Sequence, residues 1–277
     1  MKLDIRPMTE ADMGVAIGWA AAEGWNPGRA DLVPFRAEDP DGFLMGWLGD
    51  RPVAAISVIR YGADFGFLGF YIVVPDHRGQ GHGIAIWRKG MARLEGRVVG
   101  LDGVVAQQAN YARSGFVLAH RNIRHGGVVR AEAPKDARLR ADAGAAEIEA
   151  FDRAFFPAPR GRFLRAWLGQ PGHVVRALVE DGLVTGYGVL RPCGEGAKVG
   201  PLFAAGEADA EVLFRALAAG APEGPVFLDT PEPNAAALSL AARFGMAPVF
   251  ETARMYRGPA PDLPLARTFG ITSFELG

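Results

Sequence analysis

The run of apolar and polar positions falls into two stretches that read alike. FLMGWLGDRPVAAISVIR, from Phe43, and VVRALVEDGLVTGYGVLR, from Val174, are each two short apolar runs around a polar turn, the pattern of a β-hairpin. Laid over each other without a gap, Asp50 meets Asp181, Val53 meets Val184, Val58 meets Val189 and Arg60 meets Arg191. Further along, GLDGVVAQQANYARSGF from Gly100 parallels FLDTPEPNAAALSLAARFGM from Phe227. Each is an apolar strand ending in Leu-Asp, then a helix closed by Gly115 or Gly245, since glycine takes the left-handed conformation of a helix end at low cost. Two correspondences in the same order and at nearly the same offset point to a duplicated unit.

In the first unit the pattern predicts a strand over Asp4 to Pro7, a helix over Glu10 to Ala22, a loop, the hairpin, and a strand over Phe67 to Val74. A helix over Gly83 to Glu95, a strand over Val98 to Val104, a helix from about Gln108 to Ser114 and a strand over Val117 to His125 follow. The polar stretch RAEAPKDARLR separates the copies, so we divide the chain into residues 1–130 and 131–277. The expected class is α/β in the α+β sense: two tandem domains, each a mixed, mostly antiparallel sheet flanked by helices.

Composition narrows this further. At 49% hydrophobic and 22% charged residues, the chain has the material for packed cores and is not a disordered polymer. A net charge of −1 asks for neither nucleic acid nor an anionic membrane surface. The N-terminus MKLDIRPMTEADM has no apolar signal core, no apolar run is long enough to span a bilayer, and Cys193 has no partner for an internal disulfide. The expectation is a cytoplasmic protein.

The most informative stretch runs from Tyr71 to Trp87. An apolar strand is stopped by Pro75, Arg78-Gly79-Gln80-Gly81-His82-Gly83 follows, and an apolar helix opens at Ile84. A glycine-rich loop between a strand and a helix N-terminus turns unpaired N–H groups and partial positive charge toward one point, and Arg78 adds a forked donor. No Gly-Lys-Ser/Thr follows, and a third glycine at dinucleotide-fingerprint spacing is missing, with Ile84 or Ile86 in its place. What remains is R-x-x-G-x-G at a strand end.

On these residues the sequence resembles the GNAT superfamily of acetyltransferases. Arg78, Gly81 and Gly83 meet that family's pyrophosphate motif, VVPDHRGQGHG is close to its usual wording, and the likeness extends through the hairpin to Tyr111-Ala-Arg-Ser-Gly115-Phe116. The resemblance spans residues 1 to about 128. It implies acetyl-CoA as cosubstrate. Backbone amides of Gly79, Gln80, Gly81, His82, Gly83 and Ile84 would hold its pyrophosphate, and the main chain of Ile72, Val73 and Val74 would pair with the pantetheine arm. It also implies Tyr111 as the general acid that protonates the departing thiolate.

The general base is not visible. Many members keep a glutamate on the strand before the loop, but Phe67-Leu-Gly-Phe-Tyr-Ile-Val-Val carries no carboxylate. Tyr71, a water or a residue from elsewhere could serve, or the amine could arrive neutral. Asp102 and Asp229 hold matching places after a strand in the two copies and read as a shared turn or cap. The histidines read as exposed or satisfied residues, and none belongs to a cluster with metal spacing. The acceptor end falls to the loop after the first helix: Glu23 and Asp31 to hold a cationic amine, Trp25 as a wall, with Asn26 and Tyr71 beside them.

The second copy keeps the fold signals without the phosphate chemistry. Ala204-Ala-Gly-Glu-Ala-Asp-Ala stands where the loop should be, Glu207 and Asp209 would repel a pyrophosphate, and Ala241 matches Tyr111. This copy could cover the acceptor site or make a homo-oligomer contact. The leading reading is an N-acetyltransferase acting on a small-molecule amine by direct attack in a ternary complex, because no cysteine near the motif could carry the acyl group. Its rival is a non-catalytic acyl-CoA-binding sensor.

Overall fold

The computed structural model describes residues 2–277. Its first half runs β1 (Asp4–Pro7), α1 (Glu10–Ala22), α2 (Leu32–Glu38), β2 (Phe43–Leu48), β3 (Arg51–Tyr61), β4 (Phe65–Val73), α3 (His82–Arg93), β5 (Val98–Val104), α4 (Gln108–Arg113) and β6 (Val117–Gly127). The second half repeats the plan as β7 (Leu139–Arg140), α5 (Ala145–Asp152), α6 (Gly161–Leu168), β8 (Val174–Glu180), β9 (Leu183–Pro192), β10 (Ala197–Ala204), α7 (Glu207–Ala218), β11 (Val226–Pro231), α8 (Ala235–Arg243) and β12 (Ala247–Arg257), and adds β13 (Thr268–Gly270). The mixed, mostly antiparallel sheet flanked by helices is the class expected. No helix among the described residues is long and apolar enough to cross a membrane.

Local signals explain most elements. α1 starts at a capping box in which the Thr9 hydroxyl accepts from the Asp12 N–H and the Asp12 carboxylate accepts from the Thr9 N–H. Asn234 caps α8 by accepting from the Ala237 N–H. The sequence pattern predicts a loop where α2 lies. The helix is seven residues long and contains Pro34, so it owes its form to packing rather than propensity. The buried Phe35 ring stacks on Trp167 of α6, 6.1 Å between centroids.

The two copies do not keep separate sheets. They share one, in the order β1-β2-β3-β4-β5-β12-β6-β11-β10-β9-β8-β7. Each copy's last strand has crossed into the other: β12 pairs with β5 and β6, while β6 pairs with β11 and β12. The exchange is reciprocal, so β6 and β12 lie antiparallel at the centre of an approximate two-fold arrangement.

Two buried ion pairs fasten it. Arg124 of β6 donates to both carboxylate oxygens of Asp229 in β11, at 2.7 and 2.8 Å. Arg254 of β12 donates to both oxygens of Asp102 in β5, at 3.0 and 2.6 Å. Asp102 also accepts from the Asn122 amide and the Thr252 hydroxyl. The turn-or-cap expectation for the two aspartates is therefore corrected: they sit inside strands and are the counter-charges of arginines brought in by the exchanged strands. A buried strand arginine needs such a partner, since an unpaired buried charge is very costly.

Candidate active site

β4 and β5 run parallel and bonded only from Phe65↔Val98 to Leu68↔Leu101; beyond that they part. From Gly69 onward β4 pairs with β3 on one side and leaves its other edge open. A bulge marks the parting. Phe70 and Tyr71 lie between the pairs Ser57↔Gly69 and Ala55↔Ile72, and Phe70 holds a φ of +46°, uncommon for a bulky residue. The wedge leads into a cavity of about 480 Å³.

At one end of the cavity lies the glycine-rich loop. Gly79 and Gly81 have φ of +73° and +85°, and a Cβ on either would meet open space, so backbone conformation is what requires glycine there. Gly81 caps α3 without a side chain, leaving the first-turn N–H groups for a ligand. Arg78, Gly79, Gly81, Gly83 and Ile84 line the cavity, as do Ile72 and Val73 of the β4 edge. Val74, Gln80 and His82 lie just off it. Val74 donates to Val53, the Gln80 amide donates to the Asp76 carbonyl, and His82 opens the helix. The Arg78 guanidinium donates to the Val73 carbonyl at 2.9 Å and pairs with Glu23.

Midway, Tyr111 and Tyr71 both pack on Trp87, at centroid distances of 5.7 and 5.2 Å. Burial raises the Tyr111 hydroxyl well above its usual range, with Tyr71 adding to it, and burial raises Tyr71 too. Tyr111 therefore carries its proton at neutral pH. Gly103 makes room for it: a Cβ there would fall 2.2 Å from the Tyr111 ring.

The far end is walled by Trp25, Phe70, Phe250 and Phe274, with Thr252, Asp102 and Glu275 among them. Phe250 and Thr252 come from the exchanged β12, and Phe274 and Glu275 from the tail after β13. No motif marked these residues. The available signal was a lone carboxylate in the otherwise uncharged, fully buried segment from Thr268 to Gly277.

Of the acceptor residues expected from the sequence, Glu23, Trp25 and Tyr71 line the cavity. Asn26 and Asp31 do not; they tie the acceptor loop to the second copy. Asp31, fully buried, pairs with Arg191 of β9 at 3.1 Å and accepts from the Gly28 N–H. The Asn26 side chain bonds the Glu195 main chain through both N–H and C=O groups, and the Asn26 main-chain carbonyl accepts from the Lys198 ammonium at 3.0 Å. Arg29 donates to the Cys193 carbonyl, and Arg124 to that of Trp25. The loop that closes the acceptor end is thus held almost entirely by the other half of the sheet. His77 lines the cavity at the loop end, whereas His120 faces a separate small cavity beside Arg254. Burial, with Arg254 nearby, lowers His120 to about 4, so it is neutral at pH 7.

The equivalent wedge of the second copy is filled. β10 and β11 run parallel from Ala197↔Val226 to Val199↔Leu228, and where they part β13 bonds to β10 at Leu202 and Phe203. Ile271 then donates to the Asp229 carbonyl. The acids of the first turn of α7 are engaged, Glu207 with Arg243 and Asp209 with Arg138. Ala241, in Tyr111's place, is buried in the core.

Comparison with known proteins fits this architecture. The family model described as the GNAT acetyltransferase family matches residues 10–116, and one described as an acetyltransferase (GNAT) domain matches residues 148–270. The holothin acyltransferase of Pseudoalteromonas sp. (strain SANK 73390) is 31% identical over 98% of this chain and 94% of its own length. Among solved structures, a candidate acetyltransferase from Pyrococcus horikoshii superposes with a TM-score of 0.82 at 22% identity, covering 99% of this chain and 96% of the other. A tandem GNAT protein from the clavulanic acid biosynthesis pathway gives 0.62 at 17% identity, covering 94% and 100%. An open wedge with a phosphate loop in one copy, a filled wedge in the other, and these relatives together establish that the chain belongs to the GNAT acyltransferase family as a tandem of two GNAT domains.

Proposed function

We propose that this protein is an acetyl-CoA-dependent N-acetyltransferase acting on a small, flat, largely apolar amine, with residues 1–130 as the catalytic domain and 131–277 as a degenerate copy that completes its site. The observation that carries the reading is the single open wedge, which joins a helix N-terminus for phosphate to an aromatic-walled chamber. The residues suit the cosubstrate. The loop glycines leave empty space over their backbone, and the unpaired edge of β4 from Gly69 to Val73 can bond an extended arm as an added strand would.

When bound, acetyl-CoA supplies an activated acyl thioester. The N–H groups from Gly79 to Ile84 hold phosphate oxygens, with Arg78 turning from Glu23 to assist. The β4 edge sets the arm in register, and the bulge at Phe70 re-aims the backbone where the acyl group must lie. Tyr111 gives its proton to the departing sulfur. Trp25, Phe70, Phe250 and Phe274 exclude water and orient the acceptor. That an acyltransferase named for holothin is a full-length relative supports a small-molecule acceptor.

The test is calorimetric titration of acetyl-CoA into the wild type and into the double variant Gly81→Glu, Arg78→Ala. One site per chain in the wild type, lost in the variant, is expected. No binding to the wild type would overturn the reading, two sites per chain would overturn the assignment of the second copy as inactive, and binding without transfer to any amine would favour the sensor reading.

A further inference from the structure

Three carboxylates face the cavity: Glu23, Asp102 and Glu275. Glu23 is engaged by Arg78 at the loop end. Asp102 is held at both oxygens by Arg254 and bonded by Asn122 and Thr252 as well. Glu275 differs. Its residue is only 3% exposed, and its Oε2 is buried without a hydrogen-bond partner. A buried carboxylate oxygen left without a hydrogen bond is costly, and of the three residues Glu275 alone keeps such an oxygen.

Its position is as specific as its lack of a partner. The tail lies so close on β4 that a Cβ at Gly69 would fall 2.2 Å from the Glu275 carbonyl oxygen and 3.0 Å from the Ser57 hydroxyl. β4 thus gives up a side chain at the parting of the strands, and the main chain of Glu275 takes its place. Across the wedge, Gly103 of β5 seats Tyr111 in the same way. Gly69 and Gly103 each stand one or two residues beyond the last bonded pair, Leu68↔Leu101. The main chain of Glu275 and the ring of Tyr111 therefore lie at the mouth of the wedge, each against one of its two lips. The tail is fixed on the far side: Arg124 lies over the Phe274 ring at 4.6 Å, and the Leu276 N–H donates to the Ser273 hydroxyl.

We propose that Glu275, contributed by the second copy's tail, is the general base that takes the proton from the acceptor nitrogen. This rests on the N-acyl transfer reading above. The step balances within the groups named: one proton passes from the ammonium to the Glu275 carboxylate, the nitrogen lone pair forms the C–N bond to the acyl carbon, and the second proton of the acylated nitrogen restores the Tyr111 hydroxyl once that group has protonated the sulfur. The C–S bond breaks with its electron pair on sulfur, and sulfur takes the Tyr111 proton. The charged and titratable groups around Glu275 are Arg124 of β6, Arg191 of β9, and Lys198 of β10, with Asp229 of β11 paired to Arg124. On the cavity side are Asp102, Tyr71 and Tyr111. The tail that fills the dead wedge of the second copy would thereby arm the live wedge of the first.

The experiment compares the wild type, Glu275→Gln and Glu275→Asp with two acceptors, benzylamine, which is protonated at neutral pH, and aniline, which is neutral there. Coenzyme A release gives kcat/KM from pH 6 to 9, and calorimetry gives acetyl-CoA affinity. Glu275→Gln should lose about 100-fold or more with benzylamine and only a few-fold with aniline. Its benzylamine rate should climb with the fraction of neutral amine, Glu275→Asp should recover part of the loss, and acetyl-CoA affinity should stay within about two-fold in both variants. Equal losses with both amines, or a lost acetyl-CoA site in Glu275→Gln, would assign the residue a structural role and overturn the proposal. A wild type active with neither amine would instead overturn the reading of the chamber as an aryl-amine site, and this inference with it.

Discussion

Replacing Asp229 with asparagine removes one charge from the centre of the exchanged-strand interface while keeping the shape. Asp229 and Arg124 have side chains only 2% and 3% exposed and share two short hydrogen bonds. Burial by itself would raise the Asp229 carboxyl, but the Arg124 guanidinium, its hydrogen bonds and the nearby Lys198 and Arg191 outweigh that and hold it below the usual carboxylate range. Asparagine can accept one of the two bonds, and its amide N–H₂ then faces the second guanidinium nitrogen donor to donor. Arg124 is left buried with a single neutral acceptor beside the Trp25 carbonyl. Losing one partner of a buried pair costs about 3–5 kcal/mol, which at roughly 2–4 °C per kcal/mol lowers Tm by about 6–20 °C. Urea unfolding at pH 7 measures it, in a cycle with Arg124→Met and the double variant Arg124→Met, Asp229→Leu. The double variant should regain most of the loss, because an apolar pair removes both desolvation penalties. A single-variant cost below about 1 kcal/mol, or a double variant as unstable as the sum of the singles, would refute the claim that this pair fastens the two copies.

Other consequences follow from the same geometry. Tyr111→Phe should lower kcat by about 10- to 100-fold with little change in acetyl-CoA affinity, and because burial keeps the wild-type hydroxyl protonated, the wild-type rate should show no alkaline fall from this group up to pH 10. Gly69→Ala should displace the tail, costing about 1–3 kcal/mol by overpacking and cutting turnover more than cofactor binding, read by urea unfolding and steady-state kinetics. Lys198, fully buried, is lowered to about 8 by desolvation and by Arg124 and Arg191. Its folded value lies below the unfolded one, so the unfolded chain binds more protons between about pH 8 and 10, and Lys198's contribution to stability should rise with pH across that window. Unfolding of the wild type minus that of Lys198→Met, at pH 7.5 and 10, checks the sign. Expressed alone, residues 1–130 should give no transferase activity in a coenzyme A release assay, because β5 would lack β12 and the chamber would lack Phe250, Thr252, Phe274 and Glu275.

The repeat, the hairpins and the phosphate loop were legible because each is written in local chemistry: turn residues, period-two alternation, and glycines whose positive φ a helix entrance requires. The exchange of β6 and β12 was not. Alternation tells a strand that one face is buried, but not which neighbour supplies the other edge, and both copies present equally good partners. The signal that could have been read is electrostatic. Arg124 in RNIRHGG and Arg254 in ETARMYR stand at matching places in the last strand of each copy, and each copy carries an aspartate in Leu-Asp. Two duplicated buried charges of opposite sign in paired positions suggest two cross-copy bridges rather than two turns. Asn26 and Asp31 were misplaced for a related reason. A polar residue in a loop beside a site reads as ligand-facing, and only the folded chain brings Arg191, Lys198 and Glu195 from the second copy to satisfy them.

The duplication explains how a copy whose own wedge is filled comes to line the cavity of the other. In an exchanged pair, neither copy can drift apart without unpairing the strand it has lent, so each sheet edge at the centre is protected by the other. With β13 bonded to β10 where the second wedge would open, the loops and tail of that copy pack against the first as fixed structure. They meet the first copy around its cavity: the main chain of Cys193 and Glu195 and the Lys198 ammonium hold the loop after α1, and β12 and the tail add lining residues. Rigid support of this kind holds reacting groups in register without ordering them anew at each turnover. The asymmetry between the copies, one wedge open and one filled, is thus the arrangement that lets a single chain furnish both a site and its frame.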